Sequence, residues 1–195
     1  LVSGELSVQD AEQQLVHLDF ENIEFAHIDH HRALRKGFPE VIFGQGKTCE
    51  QIIGILRKMD HQKSPILVTR LEKEKADLIR KQFVHAEYFE DARLLWLKQK
   101  EPGITGFGRI LVISAGTSDI PVAREAFLTA KAMGNEADSI FDVGVAGIHR
   151  LFAYHENITQ ASVIIVAAGM EGALPSVVAG MVKAPVIAVP TSIGY

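Results

Sequence analysis

Glycines, hydroxyls and one acid directly follow an apolar, strand-like run in the second half of the sequence. This segment comes after RILVIS, precedes a helical segment and reads Ala115-Gly116-Thr117-Ser118-Asp119. A glycine lets a ligand approach the backbone, hydroxyls can donate hydrogen bonds, and a helix start favours a phosphate by about 0.3–1 kcal/mol. The residues therefore predict either a phosphate site, where Asp119 could also hold a divalent metal, or a plain helix start that Asp119 caps.

A second glycine-rich segment follows the apolar run SVIIVAA. It reads Gly169-Met170-Glu171-Gly172 and leads into another helix. An acid in a semi-enclosed crevice can act as a general acid or base. An acid in the first turn of a helix can also simply favour the positive end of the helix dipole. Both interpretations of Glu171 stay open.

Further polar residues follow two more predicted strands. His149 and Arg150 come after one of them, and Thr191 and Ser192 come after the last. An arginine suits a phosphate or carboxylate, and a histidine can carry a proton near neutral pH. His149 also suits an ordinary capping or packing role, so its function stays open.

Three other patterns are weaker candidates for chemistry. Gly44-Gln45-Gly46-Lys47-Thr48 resembles the end of a phosphate-binding loop, but the full pattern requires a glycine where Val41 stands. The segment is therefore not predicted to be an ATP-hydrolysing loop.

A histidine-rich segment and the single cysteine are also interpreted as structural. On a strand, His27, Asp29 and His31 would share one face, with His30 on the other, but no second group of metal ligands accompanies them. Cys49 lies near a helix start, which would lower the pKa of its thiol. No histidine–acid pair that could activate Cys49 is evident.

The elements that must position these residues divide near Pro102-Gly103, a strong turn signal. We predict an N-terminal mixed α/β domain over residues 1–103 and a nucleotide-binding domain over residues 104–195. In the first domain the expected helices are Ser7–Leu18, Thr48–Met59 and Glu72–Gln82. The expected strands there are Phe25–Asp29, Glu40–Phe43, Pro65–Thr69 and Ala92–Leu97.

In the second domain apolar runs alternate with helices. The expected strands are 109–114, 140–145, 162–168 and 185–189, and the expected helices are 122–133, 149–157 and 174–182. Such alternation predicts a doubly wound, flavodoxin-like parallel sheet with helices on both faces. Ligands bind such sheets at the carboxyl ends of the strands, where the polar segments of the second half of the sequence lie.

Composition excludes several classes of protein. The 195 residues carry 20 Lys and Arg against 24 Asp and Glu, a net charge of −4, so a general nucleic-acid binder is not expected. No apolar run approaches the roughly 20 residues that span a bilayer. One cysteine permits no disulfide within the chain, which fits a protein of the reducing cytoplasm.

The second half of the sequence resembles the AIR carboxylase (PurE-type) family. The strings SAGTSD, GIHR and AAGMEGALPSVVAGMVKAPVIAVPTS carry this resemblance over about residues 109–195. It implies that Ser118 and Asp119 hold a phosphate and that His149 and Arg150 match a His-Arg pair of the family. Where the purine enzymes carry a catalytic histidine, this chain has Ala173, which speaks against the purine reaction.

Nearly the whole chain resembles the LarB family of nickel-pincer cofactor biosynthesis. The carrying strings are RKGFPEVIFGQGKT at residues 35–48, DVGVAGIHRL and GMEGALPSVVAG. The resemblance implies carboxylation, by CO2, of C5 of the pyridinium ring of nicotinic acid adenine dinucleotide. It also implies hydrolysis of the phosphoanhydride, which leaves pyridinium-3,5-biscarboxylic acid mononucleotide and AMP.

This resemblance also implies roles for individual residues. Glu171, Asp119 and His149 are the expected catalytic residues, and Asp119 is the expected ligand of Mg2+. The expected substrate contacts are Ala115, Gly116, Thr117, Ser118, Arg150, Gly169, Met170, Gly172, Thr191 and Ser192. A dinucleotide substrate and a homo-oligomer, an octamer by resemblance, are expected, with no nucleic-acid or membrane partner.

The nucleophile implied by the LarB resemblance is a cysteine after the strand that ends at Pro190. The sequence stops at Tyr195, so we expect a truncated chain that binds the dinucleotide without completing the carboxylation. Cys49 matches no nucleophile of the family. The alternatives are an AIR carboxylase of purine biosynthesis and a non-catalytic nucleotide-binding module.

Overall fold

The structure, a computed structural model, describes residues 7–9, 21–23, 26–29, 32, 38, 40–60, 64–98 and 102–192. The chain divides into two compact units. The first unit comprises Leu1–Glu87 and Trp96–Lys100, and the second comprises Tyr88–Leu95 and Glu101–Tyr195. Most of the helix expected over Ser7–Leu18 lies outside the described residues, as do His30 and His31. The expected domain boundary at residues 103/104 stays a prediction.

Among its described elements, the N-terminal part contains short strands and two helices. β1 (Glu21–Asn22) and β2 (His27–Ile28) pair antiparallel. A four-stranded sheet follows, in the order β3-β4-β6-β5. Its strands are β3 (Val41–Phe43), β4 (Ile66–Thr69), β5 (Ala86–Phe89) and β6 (Leu94–Leu97), and its helices are α1 (Cys49–Met59) and α2 (Lys73–Arg80).

The helix expected over Thr48–Met59 is confirmed, because its sequence carries both a cap and an apolar side. Thr48 is the N-cap, and its side chain forms a capping box with Gln51. The residues buried on its apolar side are Ile52, Ile53, Ile55, Leu56 and Met59. β5 was not expected from the sequence, and a 3-10 turn (Glu90–Ala92) occupies the start of the strand expected over Ala92–Leu97.

The second unit contains the expected parallel sheet. Its order is β10-β9-β7-β8, and all three strand pairs are parallel. The strands are β7 (Arg109–Ser114), β8 (Glu136–Ile140), β9 (Val163–Ala168) and β10 (Val186–Pro190). The helices are α3 (Ile120–Ala132), α4 (Ile148–Phe152), α5 (His155–Thr159) and α6 (Ala173–Met181).

Both faces of this sheet are covered, which explains the unbroken apolar runs of its central strands. Leu111 and Ile113 of β7 pack in one core cluster with Leu151, Leu174 and other residues of α4 to α6. Val112, whose side chain points to the other face, packs with Ala123 of α3. Each buried aliphatic side chain of this kind contributes about 1.5–3 kcal/mol. The flavodoxin-like, doubly wound prediction is therefore confirmed.

The strand expected over residues 140–145 is wrong. β8 lies earlier, at Glu136–Ile140, and Asp142 lies beyond its end. β8 is an edge strand with alternately exposed, charged residues, so it lacks the apolar run that marks β7 and β9. The helix expected over 149–157 is divided into α4 and α5. No helix in the described part of the chain is long and apolar enough to cross a membrane.

Candidate functional site

A pocket of about 280 Å³ lies at the carboxyl ends of β7, β8 and β9. This is the edge at which parallel sheets bind ligands. The loops that follow these three strands line the pocket. The glycine-rich segments after β7 and β9 therefore meet there. The lining residues are Ala115, Gly116, Ser118, Asp119, Asp142, Gly144, Val145, Ala146, Arg150, Ala168, Gly169, Met170, Glu171, Ala173 and Leu174.

The loop after β7 is held by the carboxylate of Asp119. Its Oδ2 accepts the Gly116 N–H at 2.9 Å, and its Oδ1 accepts the Thr191 hydroxyl at 2.6 Å. The side chain is only 5% exposed. A buried carboxylate is stable when it accepts such hydrogen bonds. Asp119 thus joins the end of β10 to the loop after β7, although Thr191 and Asp119 are 72 residues apart.

The loop after β8 contributes an ion pair that the sequence analysis missed. Arg150 Nη1 donates to Asp142 Oδ2 at 2.5 Å, and both residues line the pocket. Asp142 has a left-handed backbone with φ of 60°, and its N–H donates to the hydroxyl of Ser114 at 3.1 Å. The strand expected over 140–145 placed Asp142 inside a strand. The correct end of β8 would have marked Asp142 as a strand-end acid.

The loop after β9 is a tight turn that lines the pocket. The Gly172 N–H donates to the Gly169 carbonyl at 3.1 Å, and Met170 and Gly172 both have positive φ angles, of 52° and 65°. A methionine in the left-handed region is uncommon and costs about 1–2 kcal/mol. Glu171 lies between them with an exposed side chain that lines the pocket.

Most of the predicted site residues meet at this pocket. Those that line it are Ala115, Gly116, Ser118, Asp119, Arg150, Gly169, Met170 and Glu171. Thr117, His149, Gly172, Thr191 and Ser192 do not line it. His149 is exposed on α4, and the Thr191 hydroxyl donates a hydrogen bond to Asp119. The catalytic and binding roles of all these residues stay predictions.

In the part of the chain that the structure describes, no three His, Cys, Asp or Glu residues are grouped so that they could hold a metal ion. Mg2+ commonly uses only one or two carboxylates plus water and substrate phosphate. Each oxygen of Asp119 already accepts one hydrogen bond, so a cation at Asp119 would share these oxygens with Gly116 and Thr191. Mg2+ at Asp119 stays a prediction.

The single cysteine lies outside the pocket, at the first position of α1. Burial raises the pKa of the Cys49 thiol, and the neighbouring Glu50 carboxylate raises it further, while Lys75 lowers it. The lowering expected from a helix start is therefore outweighed. The structural interpretation of Cys49 gains support, since a raised pKa leaves less reactive thiolate at neutral pH.

Comparison with known proteins gives matches over both parts of the chain. Residues 20–100 match the LarB/PurE-like N-terminal domain, and residues 109–194 match AIR carboxylase. An uncharacterized protein of Methanocaldococcus jannaschii is 41% identical over 201 residues, which cover 99% of this chain and 78% of that protein. An N5-carboxyaminoimidazole ribonucleotide mutase of the same organism is 39% identical over 84 residues, which cover 42% of this chain and 51% of that enzyme.

Proposed function

Because the chain belongs to the AIR carboxylase family, with a LarB-like N-terminal domain, we propose that it acts in the carboxylation and hydrolysis of nicotinic acid adenine dinucleotide. In the overall reaction CO2 replaces the proton on C5 of the pyridinium ring, and water cleaves the phosphoanhydride. The products are pyridinium-3,5-biscarboxylic acid mononucleotide, AMP and the released protons. Membership of the family supports carboxylase chemistry, and the substrate is our proposal.

One observation carries this proposal. A single pocket brings together a glycine-serine loop, an arginine and an exposed acid, which are the groups that a phosphorylated substrate losing a proton requires. A volume of about 280 Å³ is at the small end for ligand pockets. It therefore suits one mononucleotide part of the dinucleotide, so the second part would extend into solvent or onto another surface.

Each of the main pocket residues has a separate proposed role. The Gly116 backbone and the Ser118 hydroxyl border the pocket where a phosphate oxygen can be bound, and Arg150 supplies the positive charge. A nucleophile must first add to the electron-poor ring so that C5 can attack CO2, and it leaves when the ring becomes aromatic again; the LarB resemblance implies a cysteine after Pro190 for this role. Glu171 is the group proposed to take the proton from C5 after the new carbon–carbon bond has formed. Asp119 holds the loop in shape through Gly116 and Thr191.

Binding is the first test, because it depends only on the described pocket. Calorimetric titration of the chain with nicotinic acid adenine dinucleotide should show saturable binding that Arg150→Ala weakens at least tenfold, since a charge-assisted contact is lost. The matched control is Arg80→Ala, which removes an exposed arginine on α2 of the other unit. No saturable binding would reject the proposed substrate.

Turnover is the second test. The full-length natural protein, the dinucleotide, bicarbonate and Mg2+ are incubated together, and the mixture is analysed by mass spectrometry. A mononucleotide with one added carboxyl group, together with AMP, supports the proposal. Bound but unchanged dinucleotide would favour the non-catalytic binding module instead.

The purine reaction is the second candidate, and the 39% identity to the mutase favours it. Ala173 lines the pocket at the position for which the AIR carboxylase resemblance implies a histidine, and an alanine carries no proton. We therefore expect aminoimidazole ribonucleotide to remain unchanged in the same mass-spectrometric assay. Its carboxylation would replace our proposal by this candidate.

A further inference from the structure

The guanidinium of Arg150 is held in place by two neighbouring residues, Asp142 and Gly147. Among the described lining residues, Arg150 is the cation, and Asp119, Asp142 and Glu171 are the acids. An entering phosphate meets a negatively charged wall unless Arg150 faces it. The position of this one side chain therefore decides whether the pocket accepts an anion.

The first of these neighbours is Asp142, whose backbone is anchored to the buried end of β7. The Asp142 N–H donates to Ser114 Oγ, and the Val143 N–H donates to the Ser114 carbonyl, both at 3.1 Å. Ser114 is fully buried. The Asp142 carboxylate that receives Arg150 Nη1 at 2.5 Å therefore projects from a fixed point, not from a mobile loop.

The second neighbour is Gly147, which leaves the space that the guanidinium fills. A Cβ at this position would lie 2.7 Å from Arg150 Nε and 3.0 Å from Nη2. The backbone does not require a glycine here, because φ of −129° lies outside the left-handed region that favours glycine. The missing side chain is thus explained by the arginine and not by the turn.

We propose that Asp142 and Gly147 are positioning residues that fix the Arg150 guanidinium as the anion-binding group of the pocket. Asp142 binds one edge of the guanidinium, and Gly147 lets it lie against the backbone. The remaining N–H groups of Arg150 are then free to bind a phosphate of the substrate. This inference rests on the proposed function, which supplies a phosphorylated substrate.

Gly147→Ala is the sharpest variant, because it removes no polar group. The new methyl group displaces a flexible side-chain end, which costs the fold little, and moves Arg150 out of place. We expect the dissociation constant for inorganic pyrophosphate, measured by calorimetry, to rise about 10- to 100-fold. The melting temperature should stay within error of that of the parent protein.

Gly180→Ala is the matched control in the same unit. A Cβ there meets no atom within 4 Å, so pyrophosphate binding should not change. Asp142→Asn tests the partner, since asparagine tolerates the left-handed backbone but lacks the charge. By itself this change should weaken pyrophosphate binding, even though it also removes one negative charge from the pocket. Combined with Gly147→Ala it should add no further loss, because Arg150 has already left its partner.

The outcomes separate this inference from the proposed function. Unchanged pyrophosphate affinity in Gly147→Ala, additive losses in the double variant, or no pyrophosphate binding by the parent chain each overturn the positioning role. Weakened, non-additive pyrophosphate binding supports it even if the dinucleotide is never carboxylated. In that case only the proposed function fails.

Discussion

Two strand-to-helix loops of similar composition behave differently in this protein. Gly44–Thr48 joins β3 to α1, and Gly116–Asp119 joins β7 to α3; both carry glycine and hydroxyl residues after a parallel strand. In the first loop the Thr48 and Gln51 side chains cap the helix, and the Lys47 carbonyl accepts Lys75 Nζ at 3.0 Å. In the second loop Asp119 makes no side-chain cap to α3, and the loop borders the pocket.

The difference lies in where the polar groups of each loop find partners. In the first loop the side chains of Thr48 and Gln51 cap the start of α1, so this helix start offers little to a ligand. In the second loop Asp119 accepts one hydrogen bond from Gly116 of the same loop and one from Thr191, 72 residues away, and Ser118 stays exposed at the pocket. A glycine-rich loop before a helix is therefore informative only once the partners of its hydroxyls and acids are known.

The largest expected effect follows from the buried acid of the second loop. Asp119→Ala removes the acceptor for the Gly116 N–H and the Thr191 hydroxyl and leaves both donors without it. The free energy of unfolding should fall by about 2–4 kcal/mol, as measured by urea denaturation. A loss below about 0.5 kcal/mol would mean that Asp119 does not hold the loop.

Ser118→Ala tests the pocket side of the comparison. The side chain is exposed, so the free energy of unfolding should change by less than about 0.5 kcal/mol. Affinity for nicotinic acid adenine dinucleotide should fall about tenfold, since a hydrogen bond to a charged phosphate is lost. Unchanged affinity in calorimetry would remove Ser118 from the proposed phosphate site.

Thr48→Ala is the counterpart in the first loop, with the opposite pattern. Loss of the capping box should cost about 1 kcal/mol of unfolding free energy in urea denaturation. Dinucleotide affinity should stay the same, because this loop is expected to bind no ligand. A parallel loss of affinity would contradict the distinction between the two loops.

The smallest effect concerns the thiol beside the first loop. Because its pKa is raised, Cys49 carries less thiolate at a given pH than an ordinary cysteine. Alkylation by iodoacetamide, followed by mass spectrometry across pH, should be slower than that of a cysteine peptide. Its rate should reach half-maximum at a higher pH. A midpoint below that of the peptide would make the helix start the dominant influence.

Glu50→Gln is the control for that measurement. The Glu50 carboxylate raises the pKa of Cys49 by charge repulsion, so the midpoint should move down when this charge is removed. The pKa of Glu50 itself is lowered by its backbone N–H and by the Thr48 hydroxyl. In the parent protein Glu50 is therefore ionised throughout the pH range in which the thiol is titrated.

Much of the second unit could be predicted from local patterns. RILVIS and SVIIVAA are apolar without interruption because their strands are buried on both faces, and their bounds agree closely with β7 and β9. EADSI gave no such signal, because an edge strand exposes alternate side chains to water. Because the strand was predicted over residues 140–145, Asp142 was not recognised as a strand-end acid. Its carboxylate accepts the hydrogen bond from Arg150.

The sequence by itself determined the alternation of strands and helices, the sheet edge where polar loops collect and the resemblance that fixed the family. These features depend on burial and on spacing along a continuous segment. Only the tertiary structure decided which polar groups meet. The bond from Thr191 to Asp119 spans 72 residues, and the Arg150 guanidinium fits because Gly147 has no side chain. Such contacts arise when distant segments pack, and no local pattern encodes them.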